Sequence, residues 1–158
     1  MRKPAKRLLI IDENPHIISV LQQTLKTDFD CVVARSGRDA VRLLVQGNRF
    51  DAIMTELNLT AFSGLELIRF VRANQLIGQT PIIVLSGATD SATRIDCLEA
   101  GADSYLPKPF NPLEARAKLQ SLLRRTAALP EVYQMPATSP RVSRQRVSWS
   151  LNTLFNLF

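Results

Sequence analysis

Residues 8–15 read Leu8-Leu9-Ile10-Ile11-Asp12-Glu13-Asn14-Pro15. Four apolar side chains in a row suit a strand covered on both faces, since a strand with one wet face would alternate. The run stops at two acids, and Asn14-Pro15 then announces a helix. Asparagine caps with its side chain, and proline takes the first helical position, where its missing N–H costs nothing. The turn carries no glycines, which disfavours a nucleotide-binding loop.

The same unit recurs along the chain. Further short apolar runs fall at residues 31–34, 52–55, 81–85 and 104–106. Between them lie helical spacings: Ile17, Ile18, Leu21 and Leu25; then Leu65, Ile68 and Val71; then Ala115, Leu119, Leu122 and Leu123. Ser63 with Glu66 reads as a capping box, and Asn111-Pro112 repeats the signal of Asn14-Pro15. Strands alternating with helices imply parallel pairing through right-handed crossovers. The expectation is an α/β fold, a doubly wound, five-stranded parallel sheet of the flavodoxin-like (βα)5 type, in the order 2-1-3-4-5 and ending near Arg125.

In such a sheet, ligands collect at the carboxyl ends of the strands, where the order reverses. The first strand ends in Asp12-Glu13, the third in Glu56 and the fourth in Ser86, and the fifth runs into Lys108. Carboxylates brought together repel one another unless a cation offsets them. Hard oxygen ligands of this kind suit Mg²⁺ better than a transition metal.

This ordered set resembles the receiver domain of two-component response regulators over roughly residues 6–126. The carriers are Asp12-Glu13, the acidic position 56, Asn58, Gly64, Ser86-Gly87-Ala88, Tyr105 and Lys108-Pro109-Phe110, with 30 residues from Glu56 to Ser86 and 22 from Ser86 to Lys108. The resemblance implies that Asp12, Glu13 and the acid at 56 hold Mg²⁺ together with the backbone carbonyl of Asn58. It implies that Lys108 contacts a phosphoryl group, toward which the Ser86 hydroxyl swings. Tyr105 would then turn inward and reshape the face made by the fourth helix, fifth strand and fifth helix, where a protein partner binds. It also implies a cis Lys108-Pro109 bond.

Two departures stand out. Position 56 is Glu where the family accepts phosphate on Asp, and position 60 is Thr where the family usually has Pro. One extra methylene moves the carboxylate by about 1.5 Å of bond length, more than in-line transfer tolerates. Glu56 is therefore read as a degenerate acceptor that pairs with Lys108, either imitating an acyl phosphate in part or serving as a plain ion-pair partner in a receiver that no longer switches, with Mg²⁺ bound weakly or not at all. The expected function is an atypical pseudo-receiver, not an enzyme, working through protein–protein contact. The alternatives are a phospho-accepting regulator and a truncated DNA-binding transcriptional regulator.

Composition sets the remaining bounds. Of 158 residues, 46% are hydrophobic and 22% charged, ordinary for a globular protein. No apolar run approaches the ~20 residues of a membrane span, and the run behind the basic N-terminus is too short for an export signal. A cytoplasmic protein is expected, with Cys31 and Cys97 as buried free thiols. The net charge of +6 is spread along the chain, which permits a nucleic-acid partner without indicating one. His16 is read as solvent-facing. The receiver would span residues 1–126. A linker rich in Pro, Ser and Arg would follow at 127–146, and a short apolar tail at 147–158. In that tail Val147, Leu151, Leu154, Phe155 and Phe158 share a helical stripe, able to dock on the receiver, pair two chains or lie on a membrane. Some thirty residues are too few for a winged-helix domain, so a stand-alone receiver or a truncated regulator is expected.

Overall fold

The computed structural model describes residues 5–128. Five strands alternate with five helices: β1 Lys6–Ile11, α1 Pro15–Leu25, β2 Phe29–Ala34, α2 Gly37–Val45, β3 Ala52–Glu56, α3 Gly64–Ala73, β4 Ile82–Ser86, α4 Ser91–Glu99, β5 Ser104–Pro107 and α5 Pro112–Ala128. All strand pairs are parallel, in the order β2-β1-β3-β4-β5. This is the flavodoxin-like arrangement expected from the apolar runs.

The pleat divides the sheet between two cores. Leu8, Ile10, Ala52, Met54, Ile83 and Leu85 face α1 and α5, where they meet Leu21, Leu25, Ala115, Leu119 and Leu123. Their neighbours Leu9, Ile11, Ile53, Ile82 and Val84 face the opposite way, onto Ala40, Leu44, Leu67, Ile68, Val71 and Cys97 of α2, α3 and α4. Period-2 alternation thus serves two apolar layers, which is why β1 and β4 read as continuous hydrophobic runs. Each such Leu or Ile contributes about 1.5–3 kcal/mol when fully buried.

Local signals act where they were expected. Asn14 Oδ1 accepts the His16 amide at 2.9 Å ahead of Pro15. Ser63 and Glu66 close a capping box at α3. The edge strand β2 starts at Phe29, two residues earlier than its apolar run, because buried Phe29 pairs beside Lys6 while Asp30 faces water. In α3 the buried stripe is Leu67, Ile68 and Val71, with Leu65 half-buried: the helix lies flat on the sheet and turns residue 67 inward. Cys97 is fully buried and Cys31 half-buried, both as free thiols, and His16 is exposed.

α5 continues to Ala128, two residues into the stretch read as linker, with no proline before Pro130 to stop it. The remainder of that stretch and the apolar tail at 147–158 lie outside the described residues. Among the described residues, no helix is long and apolar enough to cross a membrane.

Candidate functional site

β1 lies between β2 and β3, so the strand order reverses at the β1–β3 boundary, and a crevice opens beyond their carboxyl ends. Asp12 sits directly after β1 and is 2% exposed; Glu56 closes β3 and is 8% exposed. Lys108 follows β5, tied to β4 by its amide on the Ser86 carbonyl at 2.8 Å and preceding a cis bond to Pro109. Its ammonium reaches back across the sheet to Asp12 Oδ2 at 2.7 Å and to Glu56 Oε2.

The two carboxylates are otherwise committed as well. Asp12 Oδ1 accepts the Asn14 amide at 2.8 Å. Glu56 Oε1 accepts the amides of Leu57 at 2.6 Å and Asn58 at 3.0 Å, curling the longer side chain over its own strand end. α3 can start this close because residue 64 is glycine. A Cβ there would stand 2.3 Å from the Glu56 carbonyl oxygen. Burial works to lower the Lys108 pKa, but the hydrogen bonds and charges of Asp12 and Glu56 outweigh it, leaving the ammonium above its ordinary 10.5.

Glu13 leaves this group. Its carboxylate is exposed and turned toward the β3–α3 loop, where Oε1 accepts the Thr60 amide at 2.5 Å and Oε2 the Thr60 hydroxyl at 3.0 Å. Those two bonds, the amide first, hold its pKa below the usual 4.5. Thr60 was visible in the sequence as a departure from proline, but its partnership with Glu13 was not.

Ser86 is fully buried, and its Oγ accepts the Ala88 amide at 3.2 Å. The Ala88 carbonyl in turn accepts the Tyr105 hydroxyl at 2.6 Å. The backbone of one residue, Ala88, therefore links the strand-end serine to the aromatic residue of β5 through its N–H and its carbonyl. The sequence offered no sign of this role for Ala88. Tyr105 is half-buried, with the Arg94 guanidinium 5.9 Å from its ring centroid. A cavity of about 480 Å³, lined by Ile18, Val33, Arg35 and Leu43, lies at the β2 edge.

This fold with these strand ends corresponds to a known family: a model of the response regulator receiver domain matches residues 8–120. The chain belongs to that family. Over 120 residues the receiver is 39% identical to protein PetR of Rhodobacter capsulatus, covering 75% of this chain and 48% of PetR. Transcriptional regulatory protein CpxR of Escherichia coli is 31% identical over 121 residues, which make up 76% of this chain and 50% of CpxR. The chain spans about half the length of the curated relatives it matches. A solved receiver domain from a Pseudomonas aeruginosa sensor histidine kinase, with a magnesium ion coordinated in its active-site cleft, is similar with a TM-score of 0.69. The identity is 29%, over 76% of this chain and 98% of that one.

In the arrangement described, the three carboxylates that would hold Mg²⁺ do not converge: Asp12 and Glu56 face Lys108, and Glu13 faces Thr60. Mg²⁺ requires a near-octahedral set of oxygens. Here the oxygens of Asp12, Glu13 and Glu56 each already accept from a protein donor. Among the described residues, no three His, Cys, Asp or Glu side chains converge in a way that could hold a metal ion. The Lys108 ammonium occupies the position between two of the three carboxylates, and Glu13 points elsewhere.

Proposed function

We propose that this receiver is an atypical module of two-component signalling, in which Glu56 replaces the phospho-accepting aspartate and output passes through protein–protein contact. The observation that carries the reading is the engagement of residue 56. One oxygen accepts two backbone amides, and the other accepts the Lys108 ammonium. A nucleophile in phosphoryl transfer needs a free, aligned oxygen, and an added methylene displaces this one by about 1.5 Å. Lys108, the expected phosphoryl contact, is already neutralised by Asp12 and Glu56. The Glu56–Lys108 pair stands in for part of an acyl phosphate's charge.

The Ala88 backbone provides the route outward. A shift of Ser86 toward the cluster would pull on the Ala88 amide, and the Ala88 carbonyl would carry that shift to Tyr105. Tyr105 lies on the face formed by α4, β5 and α5, where Ile95, Leu98 and Leu113 are exposed. That face is the proposed docking surface for a protein partner or a second copy of the chain. On this reading the module turns over no substrate and acts in the cytoplasm. Residues 1–126 form the receiver, and the 127–146 and 147–158 segments serve as linker and contact tail.

Incorporation of hydroxylamine-labile phosphate from acetyl phosphate in Mg²⁺ buffer tests the reading. Wild type should take up little or none, and Glu56→Asp should gain uptake. Stoichiometric acyl phosphate on wild-type residue 56 would overturn it. A second reading, a DNA-binding regulator, draws support from the name and greater length of CpxR. Under that reading, the full chain would bind duplex DNA with a steep salt dependence that is lost when residues 127–158 are removed.

A further inference from the structure

We infer that Thr60 is a positioning residue that holds Glu13 away from the strand-end cluster, so that Lys108 rather than a divalent cation neutralises the site. The inference concerns the same site as the proposed function but stands on different residues. Its readout, cation affinity, is independent of phosphate and of any partner.

The hold is bidentate. Thr60 offers its backbone N–H to one oxygen of Glu13 at 2.5 Å and its hydroxyl to the other at 3.0 Å. Charge-assisted bonds of this kind are stronger than neutral ones. Both donors depend on the residue type: a proline at 60 would have neither an N–H nor a hydroxyl. The threonine at 60 is thus what supplies both donors to Glu13.

The loop that presents Thr60 is braced on both sides. Phe62 donates its amide to the Thr60 carbonyl at 2.8 Å, closing a tight turn around Ala61, whose φ is 66°. A non-glycine residue adopts that conformation only where its surroundings impose it. Here the next carbonyl is packed against α2: a Cβ on Gly37 would lie 2.0 Å from the Phe62 oxygen. These contacts fix the loop on which Thr60 sits.

The consequence is electrostatic. With Glu13 drawn off, two carboxylates rather than three face the crevice, and one ammonium bridges them. A cation approaching Asp12 meets Lys108 first and finds the second acid of its expected ligand set occupied 47 residues along the chain.

Titration of wild type and variants with Mn²⁺, followed by the paramagnetic resonance of the free ion and by competition with Mg²⁺, tests this. Thr60→Pro should tighten Mn²⁺ binding by about tenfold, equivalent to ~1.4 kcal/mol. Thr60→Val, which keeps the N–H and loses only the hydroxyl, should tighten it about threefold. Both gains should vanish in a Glu13→Gln background, because the effect acts through that carboxylate. An unchanged affinity in both Thr60 variants would overturn the inference, as would an equal gain without Glu13. Thermal melts monitored by circular dichroism check the fold. If Thr60→Pro does not fold, Thr60→Val decides alone, and no shift there overturns the inference.

Discussion

Replacing Lys108 by Met removes the cation that, among the described residues, touches both Asp12 and Glu56. Their facing oxygens share a single tetrahedral ammonium, so hydrogen-bond geometry sets them roughly 4 Å apart. At an effective dielectric of about 20, two unit charges at that distance repel by ~4 kcal/mol. The residual bonds of Asp12 to the Asn14 amide and of Glu56 to the Leu57 and Asn58 amides survive the substitution, so neither acid is fully orphaned. The expected loss is therefore about 3 kcal/mol, at the low end of what breaking a buried ion pair costs. Urea unfolding at neutral pH measures it as a lower midpoint at unchanged slope. One further arm identifies the cause. Adding Glu56→Gln to Lys108→Met should recover most of the loss, since one charge of the repelling pair is gone. A Lys108→Met protein within about 0.5 kcal/mol of wild type would refute the reasoning, because the two acids would then have to be neutralised by something other than Lys108.

Three further outcomes follow from the same geometry. The Lys108 pKa is raised, so the stability it contributes is present below 10.5 and is lost as pH climbs through the higher folded value; the gap in urea midpoint between wild type and Lys108→Met should narrow above that pH. Gly64→Ala should destabilise by about 3 kcal/mol in thermal melts, since its Cβ would meet the Glu56 carbonyl oxygen at 2.3 Å and Leu57 Cα at 2.8 Å, both of them backbone atoms. Arg72 donates to the carbonyls of Gly101, Gly78 and Thr80 and to Asp103 Oδ2, fastening the end of α3 to the turns that lead into β4 and β5. Arg72→Met should cost about 2–4 kcal/mol, with Arg72→Lys recovering less than half because a single ammonium cannot span that fork.

Much of this architecture was legible in the chain itself. Strand and helix identity follow from local periodicity, and β1, β3 and β4 appear as apolar runs because each is covered on both faces. The topology follows from the alternation, since parallel strands joined by right-handed crossovers leave few arrangements. Once the order is known, residues that end or follow the strands must gather at one edge, which is why Asp12, Glu56 and Lys108 could be singled out together. The caps at Asn14 and Ser63 were legible for the same local reason.

Partner choice within that edge was decided only by the tertiary structure. Asp12 and Glu13 are adjacent in sequence and chemically alike, yet one is buried against Lys108 and the other lies exposed on Thr60. Nothing periodic distinguishes them. The difference arises because a strand end turns successive side chains in opposite directions, and because a distant loop happens to present an N–H and a hydroxyl to one of them. The Ala88 bridge and the Arg72 staple have the same origin. Each depends on backbone carbonyls, which every residue carries and which become specific only when folding aims them at one donor.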